Sequence, residues 1–254
     1  MKAFGPVPSR RLGQSLGIKH VPLKYCTYEC IYCQIGHTPD RRSEREEFYS
    51  PEVIILNVEQ KIKDAKILGE QIDYITFVPD GEPTLDKNLG KIIDLIKPLG
   101  IKIAVITNSS LINDNEIQYD LNKADLVSFK IDAVSKYIWK AINRPQCNLD
   151  LKDILDGITD FSLNYKGKLI IETMLIDGIN DKIEEIEKIA DFVSKLNPDK
   201  SYISIPVKPP AIKWVRPASE HIINKAYHIF RKKGIKAEYL TGSEGSSIVF
   251  KRRC

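Results

Sequence analysis

Tyr74-Ile75-Thr76-Phe77-Val78 is a short apolar, β-prone run that breaks at Pro79 and passes into Asp80-Gly81-Glu82-Pro83. An apolar run of this length closed by turn residues reads as a buried strand, and the polar groups then sit at its carboxyl end. The pattern recurs along the chain. Strands are predicted over 16–21, 74–78, 101–106, 126–131, 168–175, 202–206 and 236–240. Helices are predicted over 51–68, 86–97, 114–122, 149–161, 183–196 and 219–233, with apolar residues at three and four spacing, as in Ile183, Ile186, Ile189, Ala190, Val193 and Leu196. Strands alternating with helices make parallel βα units. About six such units fall short of a closed eightfold barrel, so the expected fold is α/β, a partial (β/α)6 TIM-like barrel. Such sheets place ligand sites at the carboxyl ends of their strands, where the polar residues lie.

Outside the strand pattern, Cys26, Cys30 and Cys33 fall within eight residues, Cys26-Thr27-Tyr28-Glu29-Cys30-Ile31-Tyr32-Cys33. Thiolates grouped this tightly are soft ligands for one metal centre, and three leave a fourth coordination position open. Structural zinc closes with four protein ligands, usually as two separated pairs, and there is no second Cys or His pair at that spacing. His37 or Cys147 remains as a distant fourth ligand. Five cysteines, an odd count, argue against a disulfide framework. Spacing alone leaves an iron-sulfur cluster, structural zinc and free core thiols open, in that order.

The three-residue then two-residue cysteine spacing, with Tyr32 before the last cysteine, resembles the cluster loop of the radical S-adenosylmethionine (SAM) superfamily. The resemblance implies a [4Fe-4S] cluster held by Cys26, Cys30 and Cys33. It implies that SAM chelates the fourth iron, accepts an electron and yields a 5'-deoxyadenosyl radical that abstracts hydrogen from a substrate. Asp80-Gly81-Glu82-Pro83 is similar to the superfamily's Gly-Gly-Glu-Pro element, whose carbonyls and glutamate hold the SAM amino group, with Asp80 in place of the first glycine. By the same resemblance Tyr32, Asn108, Ser109, Ser128, Lys130 and Asp132 would surround SAM. Glu172 and Met174 would approach the nucleoside or substrate. The plainer readings are a helix start at Thr107-Asn108-Ser109, a strand-end ion pair between Lys130 and Asp132, and a core role for Met174.

Phe4-Gly5-Pro6-Val7-Pro8-Ser9-Arg10-Arg11, Ile205-Pro206-Val207-Lys208-Pro209-Pro210 and Trp214-Val215-Arg216-Pro217 resemble small archaeal and bacterial members related to the wyosine synthetases of transfer RNA. Those synthetases carry a second cysteine set upstream and a lysine that engages pyruvate. No cysteine precedes Cys26. The chain reads as a single radical SAM domain over 1–254, with an N-terminal extension over 1–14 and a short C-terminal extension over 241–254.

The 254 residues are 43% hydrophobic with a net charge of +4, ordinary values for a globular chain. No apolar run reaches membrane-span length, and 1–11 is too polar and proline-rich for a signal peptide. The expected setting is the cytoplasm, anaerobic or reducing, with no membrane partner. Arg10-Arg11, Arg41-Arg42 and Lys251-Arg252-Arg253 are basic runs suited to RNA phosphates, an acidic protein or SAM. The expected partners are SAM, an electron donor such as a ferredoxin or flavodoxin, and a tRNA or peptide substrate. A peptide, protein or small metabolite is the second substrate reading. A metal-stapled binding protein without catalysis is the reading from another class. Cys147 and Cys254 read as incidental thiols.

Overall fold

The structure, a computed structural model, describes residues 2–78 and 80–242. The basic run at 251–253, Cys254 and the C-terminal extension past Gly242 lie outside the described residues. Eight strands form one sheet in chain order: β1 (Ala3–Ser9), β2 (Gly13–Ile18), β3 (Tyr74–Phe77), β4 (Lys102–Thr107), β5 (Leu126–Lys130), β6 (Lys168–Met174), β7 (Lys200–Ser204) and β8 (Ala237–Leu240). From β2 to β8 every pairing is parallel. The crossovers are α1 (Pro51–Ile67), α2 (Leu89–Ile96), α3 (Asn115–Leu121), α4 (Lys136–Asn143) with α5 (Leu151–Asn164), α6 (Ile183–Leu196) and α7 (Glu220–Lys232). This is the expected partial barrel, and its two edges, β1 and β8, do not pair.

Strand alternation divides the side chains. Ile103, Val105, Val127, Phe129, Leu169, Ile171 and Ile203 pack outward against helix residues such as Ile92, Ile158, Ile189 and Ala226. The opposite face of the strands forms a smaller cluster of Leu12, Ala104, Leu126, Ile170, Tyr202 and Leu240, which closes the lower interior. Above it the inward positions turn polar at Ser128, Lys130 and Glu172, so apolar packing ends where the strand ends begin.

Helix boundaries follow local chemistry. Asp114 and Asp150 accept the backbone N–H of Glu116 and Lys152, both at 2.8 Å, as N-caps of α3 and α5. Pro51 opens α1, where a missing N–H costs nothing. Thr107-Asn108-Ser109 is therefore not a helix start, because α3 begins only at Asn115.

Two elements depart from expectation. Residues 3–9 form β1, antiparallel to β2, despite two prolines; an edge strand tolerates residues that donate no ladder bond. Pairing Ser9 with Gly13 also fixes β2 at Gly13–Ile18, three residues earlier than its apolar run suggests. Between β5 and β6 the chain inserts α4, which the sequence pattern did not single out.

Candidate cofactor site

Residues 19–49 hold no helix or strand, and the three cysteines lie in this loop over the carboxyl ends of the strands. Backbone bonds fix its course. Lys24 N–H donates to the Asp80 carbonyl and Glu82 N–H to the Tyr25 carbonyl, both at 2.8 Å, which joins the loop to the turn after β3. A Cβ at Gly81 would stand 2.0 Å from the Tyr25 oxygen, so only glycine permits this approach. On the other side α4 ends with carbonyls that no helical N–H can reach. The loop supplies donors: Ile31 N–H to Ile142 at 2.9 Å and Glu29 N–H to Asn143 at 3.0 Å. Ile212 N–H closes a third side on the Ile31 carbonyl at 3.1 Å.

Burial pushes the Cys26 thiol up to about 12, with the Glu82 charge adding to the effect. Burial raises Cys30 as well, helped by Cys26 and Asp132. Thiols raised in this way are not poised as free nucleophiles, and as thiolates they call for a positive centre beside them. Asn108 Nδ2 lies 3.5 Å from Cys26 Sγ, Asn143 Nδ2 lies 3.4 Å from Cys30 Sγ, and Lys24 Nζ lies 3.7 Å from Cys33 Sγ.

Glu82 is 1% exposed. Its Oε1 accepts from Thr84 N–H at 3.1 Å, the Thr84 hydroxyl at 2.7 Å and the Thr107 hydroxyl at 2.5 Å, while Oε2 accepts Asn108 N–H at 2.8 Å. The carboxylate thus latches the end of β3 to the end of β4. Asp80 instead turns outward to Lys19 Nζ at 2.7 Å.

The remaining residues group at the ends of β4, β5 and β6. Ser109, with φ of 61°, donates its hydroxyl to the Asn108 carbonyl at 2.6 Å and lies 3.2 Å from the Lys130 carbonyl. Ser128 points inward below Lys130 on β5. Lys130 Nζ pairs with Glu172 Oε1 at 2.8 Å, not with Asp132, and lies 5.1 Å from the centre of the Tyr32 ring. Burial lowers the Lys130 amine to about 8. Glu172 also takes Arg11, which enters the barrel, and Arg10 reaches the carbonyls of Leu240 at 3.3 Å and Gly242 at 2.6 Å. Asp132, 3% exposed, accepts from the Tyr32 hydroxyl and from Asn143 Nδ2 at 3.0 Å through Oδ2, and from Met174 N–H at 2.9 Å through Oδ1. Met174 is half-buried against the cluster of Ile31, Ile142, Ile176 and Val215, with the Ser204 hydroxyl 3.7 Å from its sulfur.

Asn143 and Asn180 carry no motif, and sequence reading passed over both. Asn180 Nδ2 donates to the Asp132 carbonyl at 2.8 Å and the Met174 carbonyl at 2.7 Å, tying the two strand ends together. His37 pairs with Glu29 and Cys147 is exposed.

The profile of the radical SAM superfamily matches residues 21–193, which take in the cysteine loop and every strand end just described through β6. The chain belongs to the radical SAM superfamily. It is 48% identical over 250 residues to a UPF0026 protein of Methanocaldococcus jannaschii, covering 98% of this chain and 77% of that protein. Its fold is similar to a radical SAM methyltransferase from Sphaerobacter thermophilus, with TM-score 0.64 and 16% identity over 89% of this chain and 66% of that one. It is also similar to TYW1 with a lysine-pyruvate adduct bound, with TM-score 0.61 and 19% identity over 87% of this chain and 75% of that one. At these identities the structural likeness shows the fold alone.

Radical SAM membership makes the chain an enzyme and implies a [4Fe-4S] cluster and SAM. The donor set fits that group: three soft, half-buried sulfurs on one loop, each beside an N–H donor. Among the described residues, no three Cys, His, Asp or Glu side chains gather as ligands of one metal ion. No described helix is long and apolar enough to cross a membrane.

Proposed function

We propose that Cys26, Cys30 and Cys33 hold the three protein-bound irons of a [4Fe-4S] cluster and that the ends of β3 to β6 form the SAM pocket. The observation that carries this reading is convergence. One loop bearing all three thiols is tied to the turn after β3 through Tyr25 and Glu82, to the end of β4 through Asn108, and to α4 through Asn143. Bound there, the cluster supplies one electron to the SAM sulfonium, whose cleavage gives a 5'-deoxyadenosyl radical that takes a hydrogen atom from the substrate.

The chain's own residues position and charge the pocket. The Gly81 carbonyl, and the lone pair that the Asp80 carbonyl keeps beside its bond from Lys24 N–H, face the SAM amino group, and Glu82 fixes that backbone through its four donors. Lys130 supplies positive charge for the SAM carboxylate, held by Glu172. Asp132 locks Tyr32 against the opening, and Asn108, Ser109, Ser128 and Met174 complete the wall.

An RNA base is the leading substrate. Trp214, 56% exposed, stands on the segment bonded to the cysteine loop through Ile212 and offers a stacking face. Arg41 and Arg42 lie exposed on the same loop. A peptide or metabolite is the second reading. Ferredoxin or flavodoxin is the electron donor, in a reducing cytoplasm. Anaerobic reconstitution tests the cofactor reading. A brown protein with four irons per chain, which binds SAM by calorimetry, supports it; a colourless protein that takes zinc and ignores SAM leaves the metal-stapled binding protein.

A further inference from the structure

The three thiols share a feature that the cysteine motif does not contain. Each has a side-chain N–H donor, and the donors come from three separate places: Lys24 in the loop, Asn108 after β4, and Asn143 as the last residue of α4. An asparagine amide presents a donor or an acceptor according to how it is turned, so its orientation has to be argued from its neighbours. Both are fixed here. Asn108 Oδ1 accepts Ser110 N–H at 2.9 Å, which leaves its NH2 facing Thr27 Oγ1 at 2.9 Å and Cys26 Sγ. Asn143 Nδ2 lies 3.0 Å from Asp132 Oδ2, and a carboxylate only accepts, so the NH2 faces Asp132 with one hydrogen and Cys30 Sγ with the other. Asn143 is 3% exposed, and its backbone carbonyl receives Glu29 N–H from the same loop. Such a side chain has little freedom to turn away.

Reduction places more negative charge on the sulfurs, so an N–H aimed at a ligating thiolate stabilises the reduced form more than the oxidised one, and hydrogen bonds to sulfur are one of the settings of a cluster's potential. We propose that Asn143 is a positioning residue that, together with Asn108, donates to the cluster thiolates and raises the reduction potential of the cluster. The proposal rests on the cluster reading above. Asp132 enters as the orienting group: it holds Asn143 through Oδ2 and Tyr32 through the same oxygen, and so couples the end of β5 to Cys30.

The test is an anaerobic redox titration of the reconstituted full chain, followed by electron paramagnetic resonance, for wild type and Asn143→Leu. Leucine matches the shape and removes the donor. The expected result is wild-type iron content with a reduced-to-oxidised ratio about tenfold lower at any fixed potential, a midpoint shift of about 59 mV to the negative for one electron. Full iron content with the wild-type midpoint overturns the proposal. Should Asn143→Leu fail to fold, the wild-type cluster decides the matter. Protein labelled with nitrogen-15 in its asparagine side chains should show a nitrogen hyperfine coupling in the reduced cluster, and absence of that coupling overturns the proposal. A wild-type chain that assembles no cluster is seen first, in the iron assay, and removes the cofactor reading along with the inference.

Discussion

Glu82 Oε2 accepts the backbone N–H of Asn108 at 2.8 Å, so the carboxylate that ends one strand unit is the anchor of the next. With Thr84 and Thr107 on its other oxygen, Glu82 has exchanged water for four protein donors. Burial still raises its carboxyl above the ordinary value, against these bonds. Glu82→Gln must point an NH2 at donors on one side or the other. It should lower folding stability by about 1–3 kcal/mol and weaken SAM binding, read by denaturant unfolding and calorimetry. Unchanged stability would mean that the latch does not hold the turn.

Gly81→Ala places a methyl group where the Tyr25 carbonyl stands, at an ideal 2.0 Å. The loop or the turn has to move, and the Glu82 N–H bond to Tyr25 goes with it. The overall fold, set by the sheet and helices, should persist by circular dichroism while SAM affinity drops about tenfold or more, the loss of one hydrogen bond's worth of free energy. Normal affinity would place the SAM amino group elsewhere.

Inside the barrel, Lys130 and Arg11 share the Glu172 carboxylate. Lys130→Met leaves Glu172 with Arg11, whereas Glu172→Gln takes the shared counter-charge from two half-buried cations. Denaturant unfolding should show the second variant to be the less stable, by about 1–3 kcal/mol relative to wild type, because it takes the carboxylate from two cations while Lys130→Met takes one cation from a carboxylate that keeps Arg11. The reverse order would contradict the network.

Two buried groups drive stability in opposite directions with pH. Burial lowers His20 from 6.5 to about 4, while its Nε2 donates to the Pro83 carbonyl at 3.2 Å. The fold favours neutral His20, so this stabilisation is whole above about pH 6.5 and disappears as pH falls toward 4. Burial raises Asp86 from 3.8 to about 7, so the fold favours its protonated form and loses stability as pH climbs between those values. The advantage of Asp86→Asn over wild type should therefore grow by about 3 kcal/mol from pH 4 to 7, and the deficit of His20→Gln should shrink from pH 6.5 to 4. Parallel stability curves for all three proteins would show that neither group is perturbed.

Much of this was legible in the sequence because β3, β4 and β6 are short runs rich in Ile, Val and Thr, and α6 carries a full apolar stripe that places its limits at Ile183 and Leu196. The cysteines and Asp80 to Pro83 were legible as local patterns. What escaped was either masked or non-local. Pro6 and Pro8 disguise β1, and α4 is eight residues with only Trp139, Ile142 and Asn143 buried, too few to establish a period. Asn143 meets Cys30 across 113 residues of chain, a contact that no window of sequence contains. Glu82 was legible from its motif, but its bonds to Thr84, Thr107 and Asn108 were not, because Thr107 and Asn108 reach it only in the folded chain.

The most direct measurement is anaerobic reduction of the reconstituted full chain with SAM, following 5'-deoxyadenosine by mass spectrometry, with Cys30→Ala beside it. The account predicts 5'-deoxyadenosine from the intact chain and none from Cys30→Ala. A chain that carries its cluster, binds SAM and still forms no more 5'-deoxyadenosine than Cys30→Ala, with candidate RNA and peptide substrates supplied, would contradict it.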